Sequence, residues 1–582
     1  MTIEKIHADV LIIGMGGAGQ LAALNAFDAD PSLKILIVCK ALKGKGGCTR
    51  MVQGGFNAVL NDDDSHEMHL MDTLKGGQYI NDQDLAKTLV EQATPTIKEM
   101  ETLYGCFFDR NPNGTIHQKA FAGQSFDRTV HKGDLTGIEI ISRTTEQIMK
   151  RRIPVLEEHR ALDLLTDAQG RQVVGALLLN MRNGAFVQVQ ARATLVATGG
   201  GPTQYRFHAP GPEKSVDGLG MLYRSGVRMR DMEMVQFHPT GMIIPGSVVA
   251  GALLEEGLRG CGAYMLNGNG ERFMANYDPA RMERTTRDVM SRSSYLEMQA
   301  GRACAEGGVH IVAAHLGPEF VEKNFPGMAA RCRQFKYDLA RGKVPVSPTA
   351  HYVMGGAQID KDCHTTLERL FVAGEDAGGV HGANRLGGNG VCDSCVFGRQ
   401  AGKSIARFLT AERGAVPHPD AARVAELCAR YERPLERSSG ERVFVLRDQI
   451  RETNWNKVGV TRREQDLSEA IAEFEAIAEA CETVSVEGHA AYNMPWQTYI
   501  DLLNMIDVSR MVATSAQERK EQRGAHFRID YPEQNDEQYL FNVTLTRGAD
   551  GRPAIVRQPV AFVHKSLAEC QQYSKRPPKV NK

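Results

Sequence analysis

Ala8 to Gly14 (ADVLIIG) is a nearly unbroken apolar run leading into Gly14-Met15-Gly16-Gly17-Ala18-Gly19, and Gln20 to Phe27 (QLAALNAF) follows with small residues of helical composition. Apolar residues without polar alternation mark a strand covered on both faces, so the order reads strand, tight turn, helix. Lys34 to Cys39 (KILIVC) returns to strand character and closes a βαβ unit of the length a dinucleotide site requires. Glycine spacing alone is a weak signal; its place between strand and helix gives it weight. Gly14 permits the turn, Gly16 with its neighbour Gly17 lets backbone approach a pyrophosphate, and Gly19 allows close helix–strand packing, while the helix N-terminus attracts phosphate charge. An acidic residue commonly ends the second strand and holds a ribose. Here that stretch reads Val38-Cys39-Lys40, so Lys40 faces the cofactor and the acid must come from elsewhere.

The 582 residues suggest about four domains by length, with 42% hydrophobic and 24% charged residues, ordinary for a soluble globular chain. A net charge of −1 gives no field to gather nucleic acid or an anionic membrane, and neither partner is expected. The 12 cysteines lack the paired spacing of a disulfide framework, and Met1 to Val10 is too polar for a signal peptide. The reducing cytoplasm fits both facts. No apolar run approaches the roughly 20 residues needed to cross a bilayer, so contact with the inner face of a membrane would come through partners.

Further along, Ala193 to Thr198 (ATLVAT) runs into Gly199-Gly200-Gly201 as a second strand approaching the cofactor, and Ser215 to Met221 (SVDGLGM) reads as a helix start. Mixed short elements follow from about Gly241 to Pro348, and Phe371 to Glu375 (FVAGE) then resumes as a buried strand, which implies an insertion. After about Leu409 the chain becomes helical, with Ser468 to Ala480 (SEAIAEFEAIAEA) carrying apolar residues at helical spacing. Beyond Tyr531 an alternating stretch, Tyr539 to Leu545, precedes a tail rich in Lys and Pro that is expected to fray. Scattered over this length are four short stretches with basic groups: His238 in VQFHPTG, Arg287 in TTRDV, His351 in TAHYVMGG and Arg385 in HGANRLGGNG. Together they suit a small dianion.

RDMEMVQFHPTG, LLEEGLRG, TRDVMSRS, VSPTAHYVMGG, GANRLGGN and ERKEQRGAH, in that order, resemble the flavoprotein subunits of succinate dehydrogenase and fumarate reductase, with L-aspartate oxidase as a close cousin. The likeness runs from about Ala8 to beyond Tyr531. It implies an α/β fold with a two-part Rossmann-like FAD-binding domain (1–240 and 355–410), an inserted α+β capping domain (241–354), a helical domain (411–530) and a small C-terminal region (531–582). It also implies hydride exchange between flavin N5 and a dicarboxylate, with His238, His351 and Arg385 as carboxylate holders. Arg287 becomes the proton partner, joined to solvent by Glu256 and Arg259, while Glu375 and Asp217 become FAD contacts. An arginine pKa exceeds about 12, so such exchange requires a desolvated site closed over substrate beside the Glu256 carboxylate.

Three departures from the family pattern bear on what the chain does. The family's flavin-linking histidine lies in Ser-His-Thr; aligning Gln53-Gly54-Gly55 with Gln-Gly-Gly puts Cys48-Thr49 there, so the histidyl bond is impossible. Cys48 is then a free thiol beside non-covalent FAD, or the site of a thioether. Second, Glu255 stands where the family has a Thr or Ser hydroxyl that donates to a substrate carboxylate. An acceptor-only group there repels that carboxylate, and an amide, hydroxyl or ammonium at that end fits better. Third, Asn389-Gly390-Val391 replaces Asn-Ser-Leu and is followed by Cys392-Asp393-Ser394-Cys395; Asn389 is expected beside the flavin. Lowered thiol pKa values at a helix start would make a redox pair of this CxxC, and small core residues are the plainer reading. No metal site is expected, because no second ligand pair exists. Gln53 is typical of succinate-oxidising members, so direction stays open.

The chain carries no cysteine spacing for clusters of its own, and the family reading therefore requires an electron partner in the form of an iron–sulfur subunit. The alternatives are a soluble flavin oxidase of the L-aspartate oxidase kind, a dehydrogenase of a modified dicarboxylate, or a non-catalytic FAD-binding protein.

Overall fold

A computed structural model describes residues 3–575 apart from Ala122, Val248, Arg413 and Ala415. The first strand begins before the apolar run and spans Glu4–Ile13, its last four residues buried; the helix is Gly17–Ala29 and the second strand Ile35–Cys39. Glu4–Ile13 pairs in parallel with Ile35–Cys39 on one side and with Phe186–Val196 on the other. The ATLVAT stretch is the buried end of that third strand, and Leu370–Val372 pairs in parallel with it. Two loops more than 170 residues apart, Thr198–Gly201 and Gly374–Asp376, therefore reach the same sheet edge as Gly14, and Asp376 ties them by accepting from the Thr198, Gly199 and Gly200 amides. Ligands of open α/β sheets bind at this edge.

The strands are apolar throughout because both faces are covered. On one face the helix Asn389–Ala411 lies against Gly17–Ala29, and glycine makes the close crossing possible. A Cβ at Gly398 or Gly402 would stand 2.4 Å from the Ala18 carbonyl oxygen or 2.3 Å from that of Ala22.

Met242, Leu254, Met265, Met290, Ile311, Val344 and Val346 form a second core, drawn wholly from the inserted stretch. Its antiparallel sheet runs Val235–Met242, Lys343–Val353, Val309–Val312, Tyr264–Leu266. The first two of these strands belong to both cores: Val235, Phe237, Ala350 and Val353 pack with the large sheet, Met242, Val344 and Val346 with the insertion.

The helical region has no core of its own. Leu427, Tyr431, Ile450, Trp455, Phe474 and Trp496 are continuous with the core of the large sheet. SEAIAEFEAIAEA lies in the helix Glu464–Cys481, which buries Leu467, Ala470, Phe474, Ile477 and Cys481 along one stripe. The late motif ERKEQRGAH carries a buried ion-pair network, of Arg519, Glu521 and Arg523, while Lys520 is exposed. Arg519 donates to Glu233 Oε1 at 2.7 Å, to Glu521 Oε1 at 3.0 Å and to the Phe541 carbonyl at 2.7 Å, and Arg523 clasps both Glu521 oxygens. Phe541–Arg547 and Pro553–Pro559 make a hairpin on Met229–Arg230. A helix without counterpart in the sequence reading, Leu567–Ser574, starts with a Ser566–Glu569 capping box and packs Cys570 and Tyr573 on Leu70, Met71 and Leu74. The Lys- and Pro-rich end beyond Lys575 lies outside the described residues. No helix among the described residues is long and apolar enough to cross a membrane.

Candidate active site

A cavity of about 550 Å³ begins at Gly14–Ala18, passes Lys40, Cys48–Gly55 and Gly199–Gly200, and ends among His238, Glu255, Glu256, Arg287, His351 and Arg385. Gly14 has φ +114°, and a Cβ there would stand 2.1 Å from the Ala197 carbonyl oxygen; one on Gly19 would stand 2.0 Å from the Gly14 carbonyl oxygen. Both glycines thus serve backbone packing. A Cβ on Gly16 would meet nothing nearer than Thr49 Oγ1 at 3.6 Å, so its face stays open to the cavity, while the Gly17 amide donates to Thr49 Oγ1 at 3.1 Å. The Gln53-Gly54-Gly55 loop is pinned between Phe121 and the Val130 carbonyl, each of which a Cβ at Gly54 or Gly55 would strike.

An acid does stand beside Lys40 at the end of the second strand, brought there from a distant helix start. Lys40 Nζ donates to Ser215 Oγ at 2.7 Å and to Asp217 Oδ2 at 2.8 Å, and Asp217 Oδ1 accepts from Arg160 at 2.5 Å and Asn504 at 2.8 Å. Burial pushes the Asp217 carboxyl up, but Arg160 and Lys40 outweigh it and hold it below its ordinary value. Glu375 is engaged in the same way: Oε2 accepts from Lys214 Nζ at 2.5 Å and Oε1 from the Val353 amide at 3.1 Å. Lys214 is absent from the sequence reading, since nothing near it in the chain marks it out. It also reaches Cys48, which opens the short 3₁₀ turn Cys48–Met51; burial raises that thiol's pKa against the pull of the ammonium.

One expectation at the helix start Asn389–Ala411 changes, and the CxxC takes its plainer reading. Asn389 does not line the cavity. Its amide is taken by Asn57 at 2.7 Å, Thr73 at 3.2 Å and His69 at 3.2 Å, because the first residue of this helix faces the helix His66–Gly76. Cys392 and Cys395 are fully buried, and burial raises both thiols, Cys395 to about 12, the reverse of what a reactive pair needs. They are core residues, with Cys395 Sγ 3.5 Å from where a Gly17 Cβ would be. Away from the cleft, Cys304, Glu306 and His310 bring ligand atoms within 4.8 Å of one another, but the Lys343 ammonium beside them works against a cation.

At the far end of the cavity the strand Val235–Met242 presents Gln236 and His238 on one face, two residues apart. Gln236 organises the arginines: its Oε1 accepts from Arg385 Nη2 at 2.9 Å and Arg287 Nη1 at 3.2 Å, while its Nε2 donates to Asn384 Oδ1 and the Arg385 carbonyl at 2.8 Å each. It sits inside a recognised motif, and strand alternation from His238 was the signal that could have found it. Arg385 also stacks 4.4 Å from the Tyr352 ring centroid. Burial and the neighbouring Arg287 lower Arg385 to about 10. Arg287 opens the helix Arg287–Gln299, and its Nε donates to Glu256 Oε2 at 2.7 Å. Glu256 opens the helix Glu256–Gly260 and puts Arg259 one turn on; Arg259 Nη1 bonds the Glu283 carbonyl, while Nε and Nη2 find no partner among the described residues. Burial raises Glu256, but Arg287 and Arg259 outweigh it and keep the carboxyl below its ordinary value. The His238 and His351 rings lie 5.5 Å apart, and both are held far below the usual imidazole range by burial and then by the surrounding arginines.

The cleft fits a dinucleotide flavin: glycine backbone open to a phosphate at a helix N-terminus, paired acids and bases along its length, and a cationic end. This fold and site define an FAD-dependent oxidoreductase. The chain matches the FAD binding domain family over residues 9–391 and the fumarate reductase flavoprotein C-terminal family over residues 447–577. It is 33% identical over 572 residues to the fumarate reductase flavoprotein subunit of Escherichia coli, covering 94% of this chain and 93% of that one. To one subunit of the fumarate reductase (CoM/CoB) of Methanothermobacter marburgensis it is 37% identical over 544 residues, covering 92% and 97%. A solved E. coli quinol fumarate reductase FrdA chain superposes with TM-score 0.90 at 31% identity over 99% of this chain and 98% of that one; the Mycobacterium smegmatis Sdh1 chain does so with 0.88 at 32% over 99% and 100%. The chain belongs to the flavoprotein subunit family of succinate dehydrogenase and fumarate reductase, whose members act on CH–CH bonds.

The glycine packing has a direct test. Gly14→Ala is expected to yield folded protein with at most about one-tenth of the flavin absorbance per chain, because the methyl group meets backbone rather than a movable side chain. Full occupancy in that variant would show that the loop has another way to fold.

Proposed function

We propose that the protein interconverts a saturated four-carbon acid of the succinate type and its alkene, with Arg287 exchanging the proton at carbon. The observation that carries this is the convergence of Arg287 and Arg385 on one acceptor, Gln236 Oε1, in a wall where, among the described residues, Glu256 alone is ion-paired to either of them. Positive charge so desolvated binds carboxylate strongly. His238, His351 and Arg385 hold and desolvate the acid. Glu256 and Arg259, one helical turn apart, carry the proton between Arg287 and solvent. FAD, when bound, supplies hydride acceptance and donation at its N5. Curated relatives named fumarate reductase support the substrate class. Electrons pass to or from an iron–sulfur subunit, since this chain's cysteines are single and nearly all at least partly buried, with Cys261 alone exposed. The test is anaerobic: flavin bleaching by succinate-type acids, or reoxidation by the matching alkenes, is expected, and a flavin indifferent to every such acid rules the reading out.

FAD is held without a covalent bond. A thioether needs the Cys48 thiolate, and burial disfavours it even beside Lys214. Acid precipitation is therefore expected to leave all flavin fluorescence in the supernatant. Fluorescence that stays with the denatured chain, and disappears in Cys48→Ala, would establish the bond instead.

A further inference from the structure

Glu255 is 7% exposed and lines the cavity, yet its carboxyl receives no hydrogen bond from the described residues. Its backbone is engaged, the amide with Met328 Sδ and the carbonyl with the Leu258 amide. The nearest cation, Lys119 Nζ, stands 4.0 Å from Oε1 and already donates to the Gly133 carbonyl at 2.8 Å. Around the carboxyl tip lie glycine and hydrocarbon: Oε1 would be 3.8 Å from a Cβ on Gly54 and 3.5 Å from one on Gly257, and Phe121 covers Gly54. A buried carboxyl without donors is costly, and a cavity-facing one is satisfied by whatever ligand brings donors to it. A second carboxylate facing that carboxyl would be repelled by it, whereas a neutral donor would not.

We infer that the substrate is a monoanion, with its carboxylate at the Arg385–His351 end and a primary amide facing Glu255 in place of a second free carboxylate. This rests on the function proposed above and names its substrate class. A primary amide brings two N–H donors without a charge to desolvate, and a hydroxyl offers one donor where the Glu255 carboxyl has two oxygens to satisfy. The reacting bonds are those of the dicarboxylate reaction. Two adjacent C–H bonds would give way to a C=C bond, one hydrogen leaving as hydride to FAD when it is bound and the other as a proton that Arg287 takes as it hands one of its own to Glu256, and the amide takes no part.

The experiment compares succinate with its monoamide in anaerobic bleaching of the holoenzyme, for the wild type and Glu255→Thr. Calorimetry with malonate and malonic monoamide, which lack the second CH₂ and cannot form an alkene, reads binding on the wild type alone and needs no variant. The expected result is a preference for the monoamide of about 100-fold or more in the wild type, reversed in Glu255→Thr. A wild type that prefers the dicarboxylate in both measurements, or a preference that Glu255→Thr leaves unchanged, overturns the inference while the parent reaction stands. Bleaching by neither acid in either protein has a different signature: it removes the parent reading, and this one falls with it.

Discussion

Arg287→Ala is expected to lower kcat by about 10³- to 10⁴-fold while leaving FAD bound, because it removes a positioned proton donor from a site whose flavin cleft it does not build. Arg287 reaches Glu256 through Nε and Gln236 through Nη1, so its guanidinium is fixed by two partners on different elements. Arg287→Lys preserves the charge but has no fork to span both partners, and its rate is expected to fall nearly as far. Stopped-flow bleaching under anaerobic conditions separates this from lost affinity: the rate at saturating acid should collapse while the half-saturating concentration moves much less. Retention of more than about one-tenth of the rate in the alanine variant would remove Arg287 from proton transfer.

Arg519→Met is expected to cost about 3–5 kcal/mol of stability. It would strand the fully buried Glu233, take one bond from Glu521, which Arg523 still clasps, and release the Phe541 and Tyr539 carbonyls that Arg519 also holds. Glu233 lies three residues before Gln236, so the same network fixes the start of the strand that carries Gln236 and His238. A drop in the urea midpoint of the holoenzyme, with a weaker flavin response to acids in the surviving native fraction, is the expected pair of observations. An unchanged midpoint would mean that the buried pairs contribute nothing net.

The contrast between Arg287 and Arg519 shows what the amino-acid sequence makes legible. Both stand in motifs of the same family likeness, yet one faces a cavity and the other a buried carboxylate, and linear spacing does not distinguish the two. The βαβ unit, the insertion and Glu255 as an anomaly were readable because each depends on local pattern or on one residue of the wrong chemical kind. The Lys40–Asp217 and Lys214–Glu375 pairs were not, since each joins residues more than 150 positions apart through the sheet. Asn389 failed for a smaller reason: its place at the first position of a helix turned the amide toward Asn57 and Thr73, a matter of helical phase. The helical region looked like a separate body because its amphipathic stripe says that it buries a face, not against what.

His238 and His351 lie on the two strands that enter both hydrophobic cores. Rotation of one core against the other would twist this two-stranded ribbon, and with it the imidazole pair proposed to hold the acid. Occupancy of the cleft and the angle between the two bodies are then one mechanical variable, so a tightly held product would itself resist the opening that lets it leave.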